Sequence, residues 1–390
     1  MRLGFACAWD QRPELTWSHT PWNLRAALRE RVGAERVVDV GIEYPPVLRT
    51  ALKVACARRH GGRWVSMWRH SRPARAYGEA VLRRDVRRSG CDLVLQVQDL
   101  AVLDRPYLLL QDLSYDVLLE HVDRPGGLSH FPTLSRDALS RLRDRQRRVY
   151  ERSAGVLAMS DWFAEHLVRV TGLPPARVHV VRPGASAVRV ADEAALAARL
   201  NRPRRRLLFV GRDFHTKGGD TVLAALAVLR DQVDPAITLT VVGPRSWPVP
   251  GPVPEGVRFL GSLPVDRVGT LYAEHDLFVL PSRFEGFGIV FVEALAAGLP
   301  CVGRRAFAMP EIITPGRNGE LVGGDTGVAG AADGVGAEVA ELVAAVSRLL
   351  ADDAVYRHTA SAAGEVAGYY SWGRAAADVL DIVDQVTRSA

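Results

Sequence analysis

Short apolar runs alternate with helical stretches along this chain, and the alternation runs through twice. The first series of runs lies at Arg2–Ala8, Arg36–Val40, Leu93–Val97, Tyr107–Leu110, Gly155–Met159 and Val178–Val181. Runs of this length without polar alternation predict strands buried on both faces, and so a parallel sheet covered by helices. Pro21–Arg31 is predicted as a helix, with Thr20 as its N-cap and Pro21 in its first turn. Ser135–Arg152 is a second, Arg-rich helix, and Ser160 with Asp161 behind it caps a third. The series then restarts with a strand at Arg206–Val210 and a helix at Gly218–Arg230. Strands follow at Ile237–Val242, Val257–Leu260, Leu277–Leu280, Pro300–Gly303 and Gly319–Val322. The fold class is therefore α/β, with one architecture present in two copies.

The expected division is a first domain over 1–184, a linker over 185–205 and a second domain over 206–370, with a last helix from Ser371. A length of 390 residues accommodates this. The Gly/Ala-rich stretch Gly323–Ala337 reads as a loop. Cys7, Cys56, Cys91 and Cys301 lack close spacing, which argues against a disulfide scaffold or a zinc site and fits a reducing, cytoplasmic location. No apolar run reaches the roughly 18 residues of a membrane span, and the opening MRLGFACAWDQ reads as a buried strand rather than a signal peptide. Of 50 basic residues only Lys53 and Lys217 are lysine, so each lysine stands out against an arginine bias. Residues 1–184 carry a net +10 and the remainder a net −4, which suggests two domains with different electrostatic roles.

Two segments carry chemistry. In Pro281–Val302 a buried strand ends in a Gly-containing turn, and a helix starts near Gly288. Free N–H groups at a helix start attract anions, and Gly286 and Gly288 allow close approach to the backbone. Glu285 lies just before the helix; Glu293 lies inside it among apolar neighbours, where a structural helix would more easily carry an apolar residue. In Leu207–Asp220 a strand ends at Gly211, Arg212 opens a polar loop and Lys217-Gly218-Gly219 leads into a helix. An Arg fork and a Lys point charge five residues apart suit a diphosphate. Neither segment is a Walker loop or a G-x-G-x-x-G turn.

RFEGFGIVFVE resembles the E-x7-E signature of glycosyltransferase family 4, and FVGRDFHTKGG resembles that family's strand–Arg–Lys donor loop. VVGP, VRFLGSL, LFVLPS, MPEII and GRNGELV follow in family order, so the resemblance covers roughly Val180 to Val322. It implies the GT-B fold: two Rossmann-like domains facing across a cleft, with a last helix, here 371–390, crossing back to the first domain. It implies a retaining hexosyltransferase with a nucleotide-sugar donor on the second domain, an acceptor on the first, no cofactor and no metal. Arg212 and Lys217 would bind the diphosphate, and Glu285 would face the transferred sugar. Gly211, Gly286 and the backbone of Phe287, Gly288 and Ile289 would line the donor. Glu293 would bond the ribose.

The first domain departs from the family pattern. The loop after its first strand is AWDQRPELTWSHTPWNL, where many members have a Gly-Gly turn. His19 and Thr20 in this loop are candidates for substrate contact, while Trp9, Trp17 and Trp22 either join them or pack the loop down. Gln111 stands where members often carry His, and Gln is no base, so His19 and His121 are candidate substitutes. Arg58–Arg88 interleaves arginine with Trp64, Met67 and Trp68, which is either a solvated helical face or a contact for an anionic membrane surface or an acidic acceptor. No nucleic-acid motif is present. The expected acceptor is a natural product, a polysaccharide or a glycolipid. A disaccharide synthase or phosphorylase on the same fold, and a non-catalytic sugar-nucleotide-binding partner, remain as alternatives.

Overall fold

The computed structural model describes residues 1–60, 62–124, 131–186, 189–324 and 332–389. The chain divides into two compact units, Met1–Asp123 with His130–Gly184 and Trp372–Ala390, and Arg124–Ser129 with Ala185–Ser371.

The first unit contains β1 (Leu3–Ala6), β2 (Val37–Asp39), β3 (Ala57–His60), β4 (Arg63–Ser66), β5 (Leu93–Val97), β6 (Tyr107–Gln111), β7 (Gly155–Ala158) and β8 (Val178–Val180). Six of these form a parallel sheet in the order β2-β1-β5-β6-β7-β8. All residues of β1, β5, β6 and β7 are buried, which is why these runs show no polar alternation. Their two glutamines are paired internally. Gln96 exchanges 2.9 Å bonds with the backbone N–H and carbonyl of Ala101. Gln111 donates to Gln98 Oε1 at 3.1 Å and accepts from the Tyr150 hydroxyl at 2.6 Å. The last helix, Trp372–Ser389, belongs to this unit and packs on the helix Thr20–Val32.

Two local expectations change here. Thr20 is not an N-cap: the helix already includes it, and His19 occupies the cap in a left-handed conformation without a side-chain cap bond. By contrast Ser135 and Ser160 do cap their helices, accepting from Ala138 N and Phe163 N. The basic stretch after residue 56 is not a helical face at its start. Residues 57–66 form the antiparallel hairpin β3–β4, separate from the main sheet; the β-branched and aromatic pair Trp64-Val65 favours strand there.

The second unit contains β9 (Arg206–Val210), β10 (Thr238–Val242), β11 (Val257–Gly261), β12 (Leu277–Leu280), β13 (Cys301–Arg304) and β14 (Gly319–Val322). They form a parallel sheet in the order β11-β10-β9-β12-β13-β14. This is the doubly wound order, in which the direction of winding reverses between the two central strands β9 and β12.

The stretch 185–205 is not a free linker. It contributes the helix Glu193–Leu200, and Arg199 on that helix is fully buried in the second unit. The Arg199 guanidinium donates to the carbonyls of Tyr272, His275, Ala297 and Gly298 at 2.7–3.2 Å. These carbonyls close the helices Val265–Glu274 and Ile289–Ala296, whose last C=O groups have no partner within their own helix. The Ala-rich composition of this connector suits the helix it forms; the unpaired helix ends are what bind it to the second unit. Within the expected Gly/Ala loop, residues 325–331 lie outside the described residues, but Ala332–Ala351 is a helix, so the loop ends earlier than Ala337. Alanine's helix propensity outweighs the interspersed glycines there.

Candidate functional site

The two chemical motifs leave the carboxyl ends of β9 and β12, the neighbouring strands at which the winding of the second sheet reverses. That is where open α/β sheets bind ligands. Each loop ends in a left-handed glycine that caps a helix: Gly218 (φ 75°) before Gly219–Gln232, and Gly288 (φ 81°) before Ile289–Ala296. A side chain at Gly218 would come within 2.4 Å of the Pro281 carbonyl, so glycine here permits both the backbone turn and the contact between the loops. Two helix N-termini thus open at the same place, each with backbone N–H groups lacking an intrahelical partner.

The loops are tied together by Arg283. Its backbone N–H donates to Thr216 O at 2.8 Å. Its guanidinium makes a bidentate pair with Asp220 at 2.6 and 3.0 Å, and reaches His215 O and Thr221 Oγ1. Arg304 holds the second loop from beneath, donating to Ser282 O at 3.0 Å.

Lys217 Nζ lies 2.8 Å from Glu285 Oε2 and 3.3 Å from Phe284 O. Both side chains are largely withdrawn from solvent, at 13% and 14% exposure, so the pair is a partly desolvated ammonium–carboxylate contact. Gly211 lies under the lysine: a Cβ there would meet Lys217 Cγ at 2.9 Å. Arg212 is exposed, and among the described residues it has no hydrogen-bond or ion-pair partner. Gly286 is buried, its N–H donating to Glu285 Oε1 at 3.3 Å. Phe287 is buried, its ring centroid 5.9 Å from that of Tyr370, and Ile289 opens the helix.

Glu293 is buried one turn deeper, at 8% exposure. The Tyr272 hydroxyl donates to its Oε2 at 3.0 Å, and Ser186 N–H donates to its Oε1 at 3.4 Å. Burial pushes its pKa up to about 7, with the two donors opposing that rise. The carboxylate therefore titrates near neutral pH, held in place by Tyr272 from the preceding helix and by Ser186 from the start of the second unit's main segment.

In the first unit, Trp17, Ser18 and His19 all have left-handed φ (41°, 54° and 67°), an unusual strain for three non-glycine residues in succession. Thr20 is buried behind them. The Arg25 guanidinium lies over the rings of both Trp9 and Trp22, at 4.8 and 4.6 Å, and these two rings meet edge to face, so both tryptophans pack the loop. His121 is buried, with its Nδ1 2.8 Å from Val117 O in its own helix. His70, which nothing in the sequence singled out, is the more distinctive histidine. It lies 3.1 Å from the Tyr115 hydroxyl, and burial, reinforced by Arg75 and Arg69, pushes its pKa down to about 4. It is neutral at physiological pH.

Sequence reasoning also missed Tyr272, Ser186, Arg199 and Arg283. Each works through a long-range contact, and in a chain this rich in arginine neither Arg199 nor Arg283 stands out by type. The break in apolar character at Glu293 was the one signal that a buried polar network lay there.

Residues 204–352 match the profile of the family described as Glycosyl transferases group 1. The D-inositol 3-phosphate glycosyltransferase of Streptomyces bingchenggensis is 30% identical over 254 residues, which is 60% of this chain and 53% of that protein. The chain spans about half the length of the curated relatives it matches. Sucrose-phosphate synthase from Thermosynechococcus elongatus superposes with a TM-score of 0.73 at 16% identity, covering 100% of both chains. Anabaena HepE, solved in complex with UDP and glucose, superposes at 0.62 with 16% identity over 98% of this chain and 99% of that one. These similarities establish the fold as GT-B.

Proposed function

We propose that this chain, a GT-B protein of the glycosyltransferase family 4 type, moves a hexose-type sugar from a nucleoside-diphosphate sugar to an acceptor with retention at the anomeric carbon. The observation that carries the reading is the 2.8 Å contact of Lys217 with Glu285 at the mouths of two helices, with the unpartnered Arg212 on the same loop as Lys217. A donor diphosphate would draw the Lys217 ammonium and the Arg212 fork to its oxygens and release Glu285 to the sugar hydroxyls. Gly211, Gly286 and the backbone of Phe287, Gly288 and Ile289 would line the donor. Glu293, held by Tyr272 and Ser186, would accept from the ribose hydroxyls.

In the transfer step the bond between the anomeric carbon and the leaving oxygen breaks, and its electron pair stays on the diphosphate. The acceptor oxygen bonds to the same face of the sugar, and its proton passes to the leaving phosphate. Positive charge fixed beside that phosphate is the main source of rate acceleration in such a site. The two side-chain cations take the place a metal ion would have, so the reading has the transfer run without metal or cofactor. Gln111 is engaged by Tyr150 and Gln98 and supplies no base, which agrees with proton transfer to the leaving group. The acceptor is read as a natural product, a polysaccharide or a glycolipid, with His19 and Thr20 on its side. The four free thiols accord with a cytoplasmic setting, and no described helix is long and apolar enough to cross a membrane.

The test is a panel of nucleotide sugars, read first by thermal shift and then by release of nucleoside diphosphate in EDTA. A ligand at about 100 times its Kd adds about 2.7 kcal/mol to stability, so the matching donor raises Tm. Donor turnover in EDTA supports the reading. Failure of every donor to shift Tm, or activity abolished by EDTA and restored by Mn²⁺, would overturn it.

A further inference from the structure

No acidic residue occurs between Tyr44 and Gly78, a stretch that carries Arg49, Lys53, Arg58, Arg59, Arg63, Arg69, Arg72 and Arg75. The structure sorts these charges. Arg69 is turned inward, onto Asp10 and the carbonyls of Ala8 and Trp9. Arg75 is committed to Asp99. Lys53, Arg58 and Arg59 are exposed, on a helix and hairpin that adjoin each other.

The helix Pro46–Ala55 turns Leu52 into the core, with Leu48 packed beside it. Its opposite face, at spacings of three and four, is Val47, Thr50, Ala51 and Val54, and all four are exposed. Val47 is 82% exposed and Val54 71%. A solvated helix would carry charge on this face; this one carries methyl groups, with Lys53 on its flank. The hairpin continues the surface. Arg59 and Trp64 are cross-strand partners on one face, and Trp64 is 75% exposed. The Ser66 hydroxyl donates to Lys53 O at 2.8 Å, and Arg58 reaches Ala55 O, so hairpin and helix are fixed to one another. An isolated two-stranded hairpin is marginal by itself, and here it is held as a projecting basic and aromatic edge.

We propose that the helix Pro46–Ala55 and the hairpin β3–β4 form a docking surface for an anionic lipid bilayer. Val47, Val54 and Trp64 would enter the headgroup boundary while Lys53 and Arg59 pair with lipid phosphates. Exposed aliphatic and aromatic groups ringed by cations and free of carboxylates are what such a boundary accepts. A nucleic-acid partner would leave Val47 and Val54 without a role, since phosphates and base edges call for polar contacts. The surface is separate from the proposed donor site and does not depend on the transferase reading.

The test is co-sedimentation of the full chain with vesicles of phosphatidylglycerol and phosphatidylcholine, against pure phosphatidylcholine, at low and high salt. The chain is expected to pellet with the anionic vesicles and to be released by salt. Replacing Lys53 and Arg59 together by Gln is expected to weaken partitioning about thirtyfold, taking each cation near an anionic surface at its usual weight. Trp64→Ser is expected to weaken it with the charge unchanged. Unaltered Tm in both variants confirms that they are folded. Equal sedimentation with both vesicle types, or undiminished binding by the double variant, would overturn the proposal. So would tighter salt-sensitive binding to nucleic acid than to vesicles, or a dimer in solution that Val54→Asp dissolves.

Discussion

Lys217 and Glu285 hold each other at 2.8 Å in a site where both are mostly shielded from water. A point charge at this position can transfer its contact from a carboxylate to a phosphate without moving the backbone. Lys217→Ala and Arg212→Ala are each expected to keep the fold and to lower kcat by about 10²–10³, the usual cost of removing one preorganised charge. Lys217→Arg is expected to be impaired as well, since the wider fork has to fit over Gly211 and against Phe284 O. Near-normal turnover by any of these variants would remove the assignment. Glu293 yields a prediction of a different kind. Its folded pKa, about 7, lies above the ordinary 4.5, so between those values the folded chain holds a proton that the unfolded chain releases. This group's contribution is therefore most favourable below about 4.5, is lost as pH rises towards 7, and stays at its least favourable above that. Glu293→Gln is expected to gain Tm over the parent at about pH 8 relative to about pH 5, measured without added nucleotide. Parallel pH–Tm curves for the two proteins would show that burial does not perturb Glu293.

At the scale of elements, the decisive piece is the helix Glu193–Leu200, read from sequence as part of a linker. It is bound to the second unit because Arg199 supplies donors to carbonyls at the ends of two other helices. One of those, Ile289–Ala296, carries Glu293 and opens at Gly288, so Arg199 sits at the far end of the helix that shapes the candidate site. Arg199→Met removes five hydrogen bonds and leaves buried carbonyls without donors. It is expected to cost about 3 kcal/mol in denaturant titration, a typical price for unsatisfied buried acceptors. A loss within experimental error would return 185–205 to the status of a connector. Arg283 works in the same way on the other side, joining the loops after β9 and β12 through Asp220 and Thr216.

Over the whole molecule, the net +10 of residues 1–184 against the −4 of the remainder separates into distinct parts once the contacts are known. Some of the first unit's arginine is neutralised by ion pairs. Arg145 and Arg75 converge on Asp99, and Arg25 and Arg29 on Asp39. What remains uncompensated is concentrated between residues 44 and 78 rather than spread over the unit. The second unit, net negative, still places Lys217 and Arg212 at the carboxyl edge of its sheet, so cations stand at the candidate site despite the unit's overall sign. Net charge is therefore a poor guide to either surface, because screening limits its reach to about 8 Å at physiological salt.

The sequence by itself determined the two sheets, because twelve short apolar runs recur between helical stretches, and the central ones are apolar almost throughout, as strands buried on both faces require. It also pointed to Arg212, Lys217, Glu285 and Glu293, because Gly-flanked polar residues at strand–helix junctions are anomalous in a sheet protein and because lysine is rare in this chain. The pairing of Lys217 with Glu285, the sequestering of Glu293 by Tyr272 and Ser186, and the place of Arg199 were decided only by the tertiary structure. Each joins residues 21 to 107 positions apart, and no local pattern records which donor will find which acceptor. The docking surface divides along the same line. The absence of acid between Tyr44 and Gly78 can be read directly from the sequence, whereas the inward turn of Arg69 and Arg75 and the outward turn of Val47, Val54 and Trp64 depend on which faces the core covers.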